Sequence, residues 1–354
     1  MKIAVDAMGG DYAPTEIVKG AIEAAQEAKT EIVLVGNKIV VQPLLQEYSP
    51  ANSQLSLVDA PEVISPEEHP TKAVRTKRYS SIMVGINMLR PGEASAFVSA
   101  GSTGAIVTAS ALLLGKIKGV ERPAITILLP TPTSFSLLLD VGANVDCKPA
   151  FLVNFAQLGK IYMEKVFNIK NPRVGLLTTG EEKMKGNRLC RESHKLLKDS
   201  NLNFVGNIEG KDIARGLVDV IVTDGFTGNM VLKVIEGLGE TIFDFFEQIL
   251  TSDTRFQETA PLFKPVLGAF AKKLDYSEQG GAPLLGVNGN VIIAHGRSRS
   301  KAIKNAIYLA HRAAQLKVAE AMVNGFAEQV NTSFPSRNKL SLKPNRLLIT
   351  ERPE

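Results

Sequence analysis

The chain has 354 residues, of which 44% are hydrophobic, 22% charged and 6% aromatic, the balance of a folded globular protein and not of a disordered one. A formal net charge of +5 is small against 41 basic and 36 acidic side chains, and the tail from Phe334 alone holds five basic residues against two acidic ones, so the body lacks the concentrated basic face of a nucleic-acid binder. Two cysteines, Cys147 and Cys190, exclude a disulfide framework or a Cys-rich zinc site; with Asp6 standing where a signal peptide would be apolar, the expectation is a cytoplasmic protein.

Short β-branched runs alternate with helical patterns along the chain. Ile3-Ala4-Val5 predicts a first strand, Ile17, Val18, Ala21, Ile22 and Ala25 a helix entered through Pro14, and Ile32-Val33-Leu34-Val35 the next strand. Further strands are expected at 55–58, 96–99, 124–129, 136–141, 174–177, 204–205, 218–223 and 291–294. Parallel neighbours need crossovers and crossovers cover the sheet, so the pattern predicts a three-layer α/β/α architecture with a mainly parallel sheet. The turn Pro130-Thr131-Pro132-Thr133 predicts antiparallel pairing around 124–141. The uncharged stretch 94–115 has the length of a membrane span, but Gly101, Gly104 and its hydroxyl residues make it a strand, a glycine loop and a helix. Residues 1–332 read as one domain, including an amphipathic helical insertion over 240–278, and 333–354 as a basic tail.

The strand ends share one chemistry. Asp6-Ala7-Met8-Gly9-Gly10-Asp11, Ala100-Gly101-Ser102-Thr103-Gly104, Asp140-Val141-Gly142-Ala143-Asn144, the run 178–187, Asp224-Gly225-Phe226-Thr227-Gly228-Asn229 and His295-Gly296-Arg297 each follow a predicted strand. Any one such loop is most simply a strand terminator. Six at one edge of a parallel sheet predict a crevice for an anionic or phosphate-bearing ligand, because glycines expose backbone N–H groups and helix N-termini favour negative charge. Familiar motifs fail: Glu181-Glu182 stands where a P-loop needs Gly-Lys, and no dinucleotide fingerprint, nucleophile elbow or zinc helix occurs. Of four histidines, His295 alone lies at a strand end, and no metal site is expected.

Two regions suggest contacts with partners. Lys72, Arg75, Lys77 and Arg78 beside Tyr79 lie on a predicted helix whose apolar stripe is Ile82, Met83, Ile86 and Leu89, either a solvated face or a dock for an acidic partner. Six of the fifteen phenylalanines fall between Thr241 and Tyr276, where Leu262, Phe263, Val266, Leu267, Phe270 and Leu274 trace a stripe flanked by lysines. Such a helix suits a buried core, a dimer interface or a bilayer surface.

The segments Ala4–Asp11, Ser99–Ala105, Leu139–Asp146, Thr223–Asn229, Gly280–Gly286 and Ala294-His295-Gly296 together resemble, in order and over nearly the whole chain, the bacterial acyl-carrier-protein:phosphate acyltransferases. Ser102 and Thr76 depart from the family's usual residues. The resemblance implies the fold of phosphotransacetylases and of isocitrate and isopropylmalate dehydrogenases, and transfer of a fatty acyl group from acyl carrier protein to inorganic phosphate for phospholipid synthesis without a cofactor. It further implies a homodimer, peripheral attachment to the membrane, and a downstream acyl-phosphate:glycerol-3-phosphate acyltransferase. Phosphate is itself a nucleophile, which suits the missing triad. On this footing Lys185, Asn229 and His295 are candidates for catalysis. Gly9, Gly10, Gly101, Thr103, Gly104, Asn144, Asp224, Gly225 and Gly228 are candidates for substrate binding, with the Gly225 and Gly228 N–H groups as donors. Lys72, Arg75, Lys77 and Arg78 are candidates for carrier docking, and Phe263, Leu267 and Phe270 for membrane contact. A metal-dependent, NAD-linked dehydrogenase of related fold and a non-catalytic anion-binding scaffold are the alternatives.

Overall fold

The computed structural model describes residues 1–28, 30–48, 54–90, 92–252, 260–274 and 276–333. Its elements are β1 (Lys2–Asp6), α1 (Thr15–Ala28), β2 (Glu31–Gly36), α2 (Lys38–Tyr48), β3 (Leu55–Asp59), α3 (Pro70–Thr76), α4 (Ser81–Asn87), β4 (Ala96–Ser99), α5 (Thr103–Leu113), β5 (Ala124–Pro130), β6 (Phe135–Leu139), α6 (Pro149–Phe167), β7 (Val174–Leu177) and α7 (Arg188–Lys198). They continue with β8 (Phe204–Ile208), α8 (Gly210–Ile213), β9 (Val220–Val222), α9 (Gly225–Ser252), α10 (Ala260–Leu274), α11 (Tyr276–Gln279), β10 (Ala282–Leu285), β11 (Val291–Ile293), α12 (Ser300–Gln315) and α13 (Val318–Ser333).

The strands make one sheet in the order β3-β2-β1-β4-β11-β10-β5-β6-β9-β7-β8. Alternation along each strand supplies both faces. Ala4, Phe97, Ile125, Leu138 and Ile293 look to the side covered by α3, α4, α5 and α9. Ile3, Val5 and Val98 meet α1 and α12 on the reverse, where Leu137, Leu139 and Val220 meet α6 and α13. The architecture is therefore the mainly parallel three-layer one expected.

The antiparallel pairing expected around 124–141 is found between β5 and β6, and it turns one half of the sheet against the other. β3, β2, β1, β4 and β11 run parallel, and β6, β9, β7 and β8 run parallel. Between the two blocks lie three antiparallel pairings: β11 with β10, β10 with β5, and β5 with β6. An odd number of reversals points the second block opposite to the first. The loops after β1, β4 and β11 thus leave one edge of the sheet, and those after β6, β7 and β9 leave the other. The single edge expected for all six loops is corrected to two edges with three loops each. β10, which takes part in two of the three antiparallel pairings, is not among the expected strands; Pro283 within it argues against a central strand by sequence.

Two helical expectations also change. The basic helix and its apolar stripe are two helices, α3 and α4, parted at 77–80: Thr76 Oγ1 turns back on the Lys72 carbonyl at 3.0 Å, and Ser80 Oγ caps α4 by accepting the Met83 N–H at 3.4 Å. Position 240, where the insertion was expected to begin, lies inside α9, which is continuous over 28 residues from Gly225. Residues 94–115 form β4, a loop and α5, and among the described residues no helix is long and apolar enough to cross a membrane.

Candidate functional site

At the first edge the loops lock against one another. Asp6 is buried; it accepts the Met8 N–H at 3.0 Å and the Ser99 hydroxyl at 2.6 Å, and Ser99 Oγ in turn accepts the Gly101 N–H at 3.0 Å. Burial raises the Asp6 pKa, and hydrogen bonds from Ser81, Ser99, Met8 and Gly9 oppose that rise. A Cβ at Gly9 would strike the Asp6 carboxylate and lie 2.6 Å from the Gly101 nitrogen, and one at Gly104 would lie 2.7 Å from Pro70 Cγ. Gly9 and Gly104 are thus required by loop-to-loop packing, while Gly10 has φ +107°. The Asp11 N–H donates to the Gly296 carbonyl at 2.8 Å, tying the β1 loop to the β11 loop that carries His295.

At the second edge a buried Asp140 plays the organising part. It accepts N–H groups from Ile125 at 3.0 Å, Gly142 at 3.3 Å, Ala143 at 3.1 Å and Asn144 at 2.7 Å, and burial raises its pKa against these bonds. Asn144 spends its side-chain amide on Pro123 and Asp140. Asp224 caps α9, accepting the Thr227 N–H at 2.8 Å and its hydroxyl at 2.9 Å. The donor roles expected of Gly225 and Gly228 are taken up inside the chain: their N–H groups donate to the Asn144 and Asp224 carbonyls at 2.8 and 2.9 Å. A Cβ on Gly228 would strike the Asp140 carbonyl oxygen.

Helix α9 joins the edges. It begins at the second and runs across the face of the sheet, enclosing a cavity of about 240 Å³. Ile125, Ile127, Val141, Leu232 and Ile293 form its apolar wall, and Thr103, Asn229, Lys233, Glu236, Gln279 and His295 its polar one. Gln279 is held by the Leu128 carbonyl at 2.6 Å. Lys233 Nζ lies 2.8 Å from Glu236 Oε2 and 3.3 Å from His295 Nε2. His295 Nδ1 accepts the Arg297 N–H at 3.1 Å. Burial and then the Lys233 ammonium hold this imidazole below the usual histidine range, with Arg297 adding to the effect and Glu236 and Asp11 opposing it. An apolar wall facing a lysine, an amide and a neutral imidazole can hold an anion beside a hydrocarbon chain.

The structure therefore brings Thr103, Asn229 and His295 together and leaves Lys185 elsewhere. Lys185 sits in the loop after β7, 4.0 Å from Glu182, and does not line the cavity. Lys233 and Glu236 went unnoticed because a lysine and a glutamate three apart on a helix read as a solvated pair. The signal was there in the spacing Asn229, Lys233, Glu236 directly after the Asp224-Gly225 strand end.

Around the cavity, α3 abuts the start of α5 through Pro70 and Gly104. Lys72, Arg75 and Arg78 on and after α3 are exposed, whereas Lys77 is engaged with Glu68 at 2.6 Å and the Val63 carbonyl at 2.8 Å. Phe263 is exposed and Leu267 half-buried on α10; the Phe270 side chain and residues 334–354 lie outside the described part of the chain. Burial pushes the Cys147 thiol up to about 12, opposed by a hydrogen bond at the Gly225 backbone and aided by nearby carboxylates, which disfavours the reactive thiolate. Among the described residues no group of three or more His, Cys, Asp and Glu could hold a metal.

A cavity lined in this way in an open α/β sheet is a candidate ligand site, and solved structures agree on the fold. A phosphotransacetylase from Streptococcus pyogenes superposes with TM-score 0.58 at 18% identity, covering 91% of this chain and 94% of its own. A branched-chain phosphotransacylase from Enterococcus faecalis V583 gives 0.55 at 14%, covering 89% and 99%. A 4-hydroxythreonine-4-phosphate dehydrogenase from Klebsiella pneumoniae gives 0.53 at 14%, also covering 89% and 99%. At these identities the likeness is one of fold. Sequence goes further. The model of the family described as fatty acid synthesis protein matches residues 1–321. The phosphate acyltransferase of Dictyoglomus thermophilum is 49% identical over 330 residues, 93% of this chain and 98% of that one; that of Heliobacterium modesticaldum is 52% identical over 316 residues, 89% and 94%. The chain belongs to this family of phosphate acyltransferases, and it is an acyltransferase.

Proposed function

We propose that the chain transfers a fatty acyl group from acyl carrier protein to inorganic phosphate, giving acyl phosphate for phospholipid synthesis. The observation that carries this reading is the cavity under α9, where an apolar wall faces Asn229, His295 and Lys233, in a chain of the phosphate acyltransferase family. In the reaction a phosphate oxygen attacks the thioester carbonyl carbon. The new C–O bond forms, the carbonyl becomes an oxyanion, and its collapse breaks the C–S bond and releases the carrier's thiolate. Phosphate is an oxyanion near neutrality and needs no enzyme nucleophile, and the thiolate, with a free pKa of about 8.5, needs little protonation. The protein's part is to hold both reactants and stabilise the oxyanion. We assign Asn229 Nδ2 to the oxyanion and Thr103 and His295 to phosphate; Lys185, outside the cavity lining, receives no step.

The same reading extends to partners. Lys72, Arg75 and Arg78, beside the cavity, form the dock for the acidic carrier. The exposed stripe Phe226, Met230, Val234, Leu238, Phe245 and Ile249 along α9 is the face for a second copy, and Phe263 with Leu267 on α10 rests on the cytoplasmic membrane surface, within reach of an acyltransferase that consumes acyl phosphate. The test is mass-spectrometric detection of acyl phosphate when the purified protein meets acyl carrier protein thioester and inorganic phosphate, with acyl-CoA in parallel. Phosphate-dependent product from the carrier thioester supports the reading, and no product from either donor with folded protein rejects it. Vesicle flotation of Phe263→Glu with Leu267→Glu checks the membrane contact, where retention on anionic vesicles would reject α10 as the attachment.

A further inference from the structure

We propose that Lys233 is the residue whose charge holds the attacking phosphate, with the His295 Nε2–H as its second donor and Glu236 as the counter-charge that phosphate displaces. The inference rests on reading the cavity under α9 as the phosphate site, and it replaces the lysine that sequence placed at 185.

Among the described residues that line the cavity, Lys233 is the one lysine or arginine. An anion lying against an apolar wall is favoured by such a charge, and the half-exposed Lys233 side chain can be reached from solvent by an arriving anion. The ammonium is placed and not loose: Glu236 Oε2 holds it at 2.8 Å from one helical turn away, and the His295 ring lies 3.3 Å off. Three N–H bonds leave from an ammonium, so contact with Glu236 leaves capacity for a ligand.

The imidazole adds a second constraint. Its Nδ1 accepts the Arg297 backbone N–H at 3.1 Å, so the neutral ring carries its proton on Nε2. That N–H and the Lys233 ammonium then face the same point from two elements, β11's loop and α9. Two converging donors are poorly served by one another and well served by an anionic oxygen between them. Glu236 balances the lysine while the pocket lacks an anion, and its carboxylate opposes a phosphate once one arrives.

This gives the two members of one ion pair opposite effects, which a merely structural bridge would not. Lys233→Gln should raise the KM for phosphate at least fivefold while leaving the KM for the carrier thioester within twofold, and Lys233→Arg should recover part of the loss. Glu236→Gln should lower the phosphate KM or leave it unchanged. A rise below fivefold in Lys233→Gln, or equal rises in both variants, overturns the proposal. Direct titration with inorganic phosphate, followed through the His295 ring signals by NMR, reads the same point without turnover. Phosphate should shift those signals in the wild type with an affinity at least fivefold above that of Lys233→Gln, and equal affinities overturn the proposal. A wild type that binds phosphate through Lys233 yet makes no acyl phosphate would sink the functional reading and leave this assignment standing.

Discussion

The two edges of the sheet use the same vocabulary for different ends. Each has a buried aspartate at the end of a strand, Asp6 at one and Asp140 at the other, and each surrounds it with glycines. At the Asp140 edge four backbone N–H groups and the Asn144 amide converge on the carboxylate, and the neighbouring glycine N–H groups donate within the chain. At the Asp6 edge the loops are equally tied, but the adjoining strand end carries His295 out to a lysine on α9. A glycine-rich loop is therefore a statement about close packing first. It becomes a site only where a side chain with chemistry to offer faces a space.

That contrast can be broken by substitution. Asp140→Ala strips the acceptor from four buried or half-buried N–H groups and should cost about 3 kcal/mol or more of stability, the largest effect expected here, read as a fall in the thermal midpoint. A midpoint near that of the wild type would show the edge is not organised by this carboxylate. Next comes the docking face proposed for α3 at the Asp6 edge: Lys72→Glu with Arg75→Glu should raise the KM for acyl carrier protein about tenfold, or about 1.4 kcal/mol, and flatten its salt dependence. An unchanged salt profile would remove α3 from the carrier's path.

Smaller effects sharpen the picture. The folded His295 has its pKa below the ordinary 6.5, so the neutral ring is favoured by folding. Its contribution is present above pH 6.5 and is lost as pH falls through the lowered folded value. Between those limits the wild type should lose stability more steeply than His295→Gln; parallel profiles would contradict the shift produced by burial and Lys233 against Glu236 and Asp11. Smallest of all, Gly296→Ala places its Cβ 3.5 Å from Asp11 Oδ1, an ordinary contact, and should change stability by within about 0.5 kcal/mol, unlike any substitution at Gly228.

How far the sequence could be read follows from what each signal encodes. Hydrophobic period identifies strands such as Ile3–Val5 and Ile32–Val35, and alternation of strand and helix identifies the layers. Neither carries direction across a sheet: the turn at 130–133 predicts the β5–β6 reversal, but only the assembled strand order shows that this reversal divides what looked like one crevice between two edges. Asn229 and His295 were legible because polar residues at strand ends stand out. Lys233 and Glu236 were not, because within a 28-residue helix their charges look like solvent-facing ones. Only the fold shows that they line the cavity.

Helix α9 has a further meaning. At about 100° per residue, the cavity-facing positions Asn229, Leu232, Lys233 and Glu236 and the exposed stripe Phe226, Met230, Val234 and Leu238 lie about 130° apart around one rod. Their relative bearing is set by the helix's own backbone hydrogen-bonded geometry. Whatever covers the stripe fixes the azimuth of Lys233, and rolling the helix to reseat one face would carry the ammonium off His295. The exposed stripe and the cavity thus share a single angular coordinate, and the helix acts as its axle.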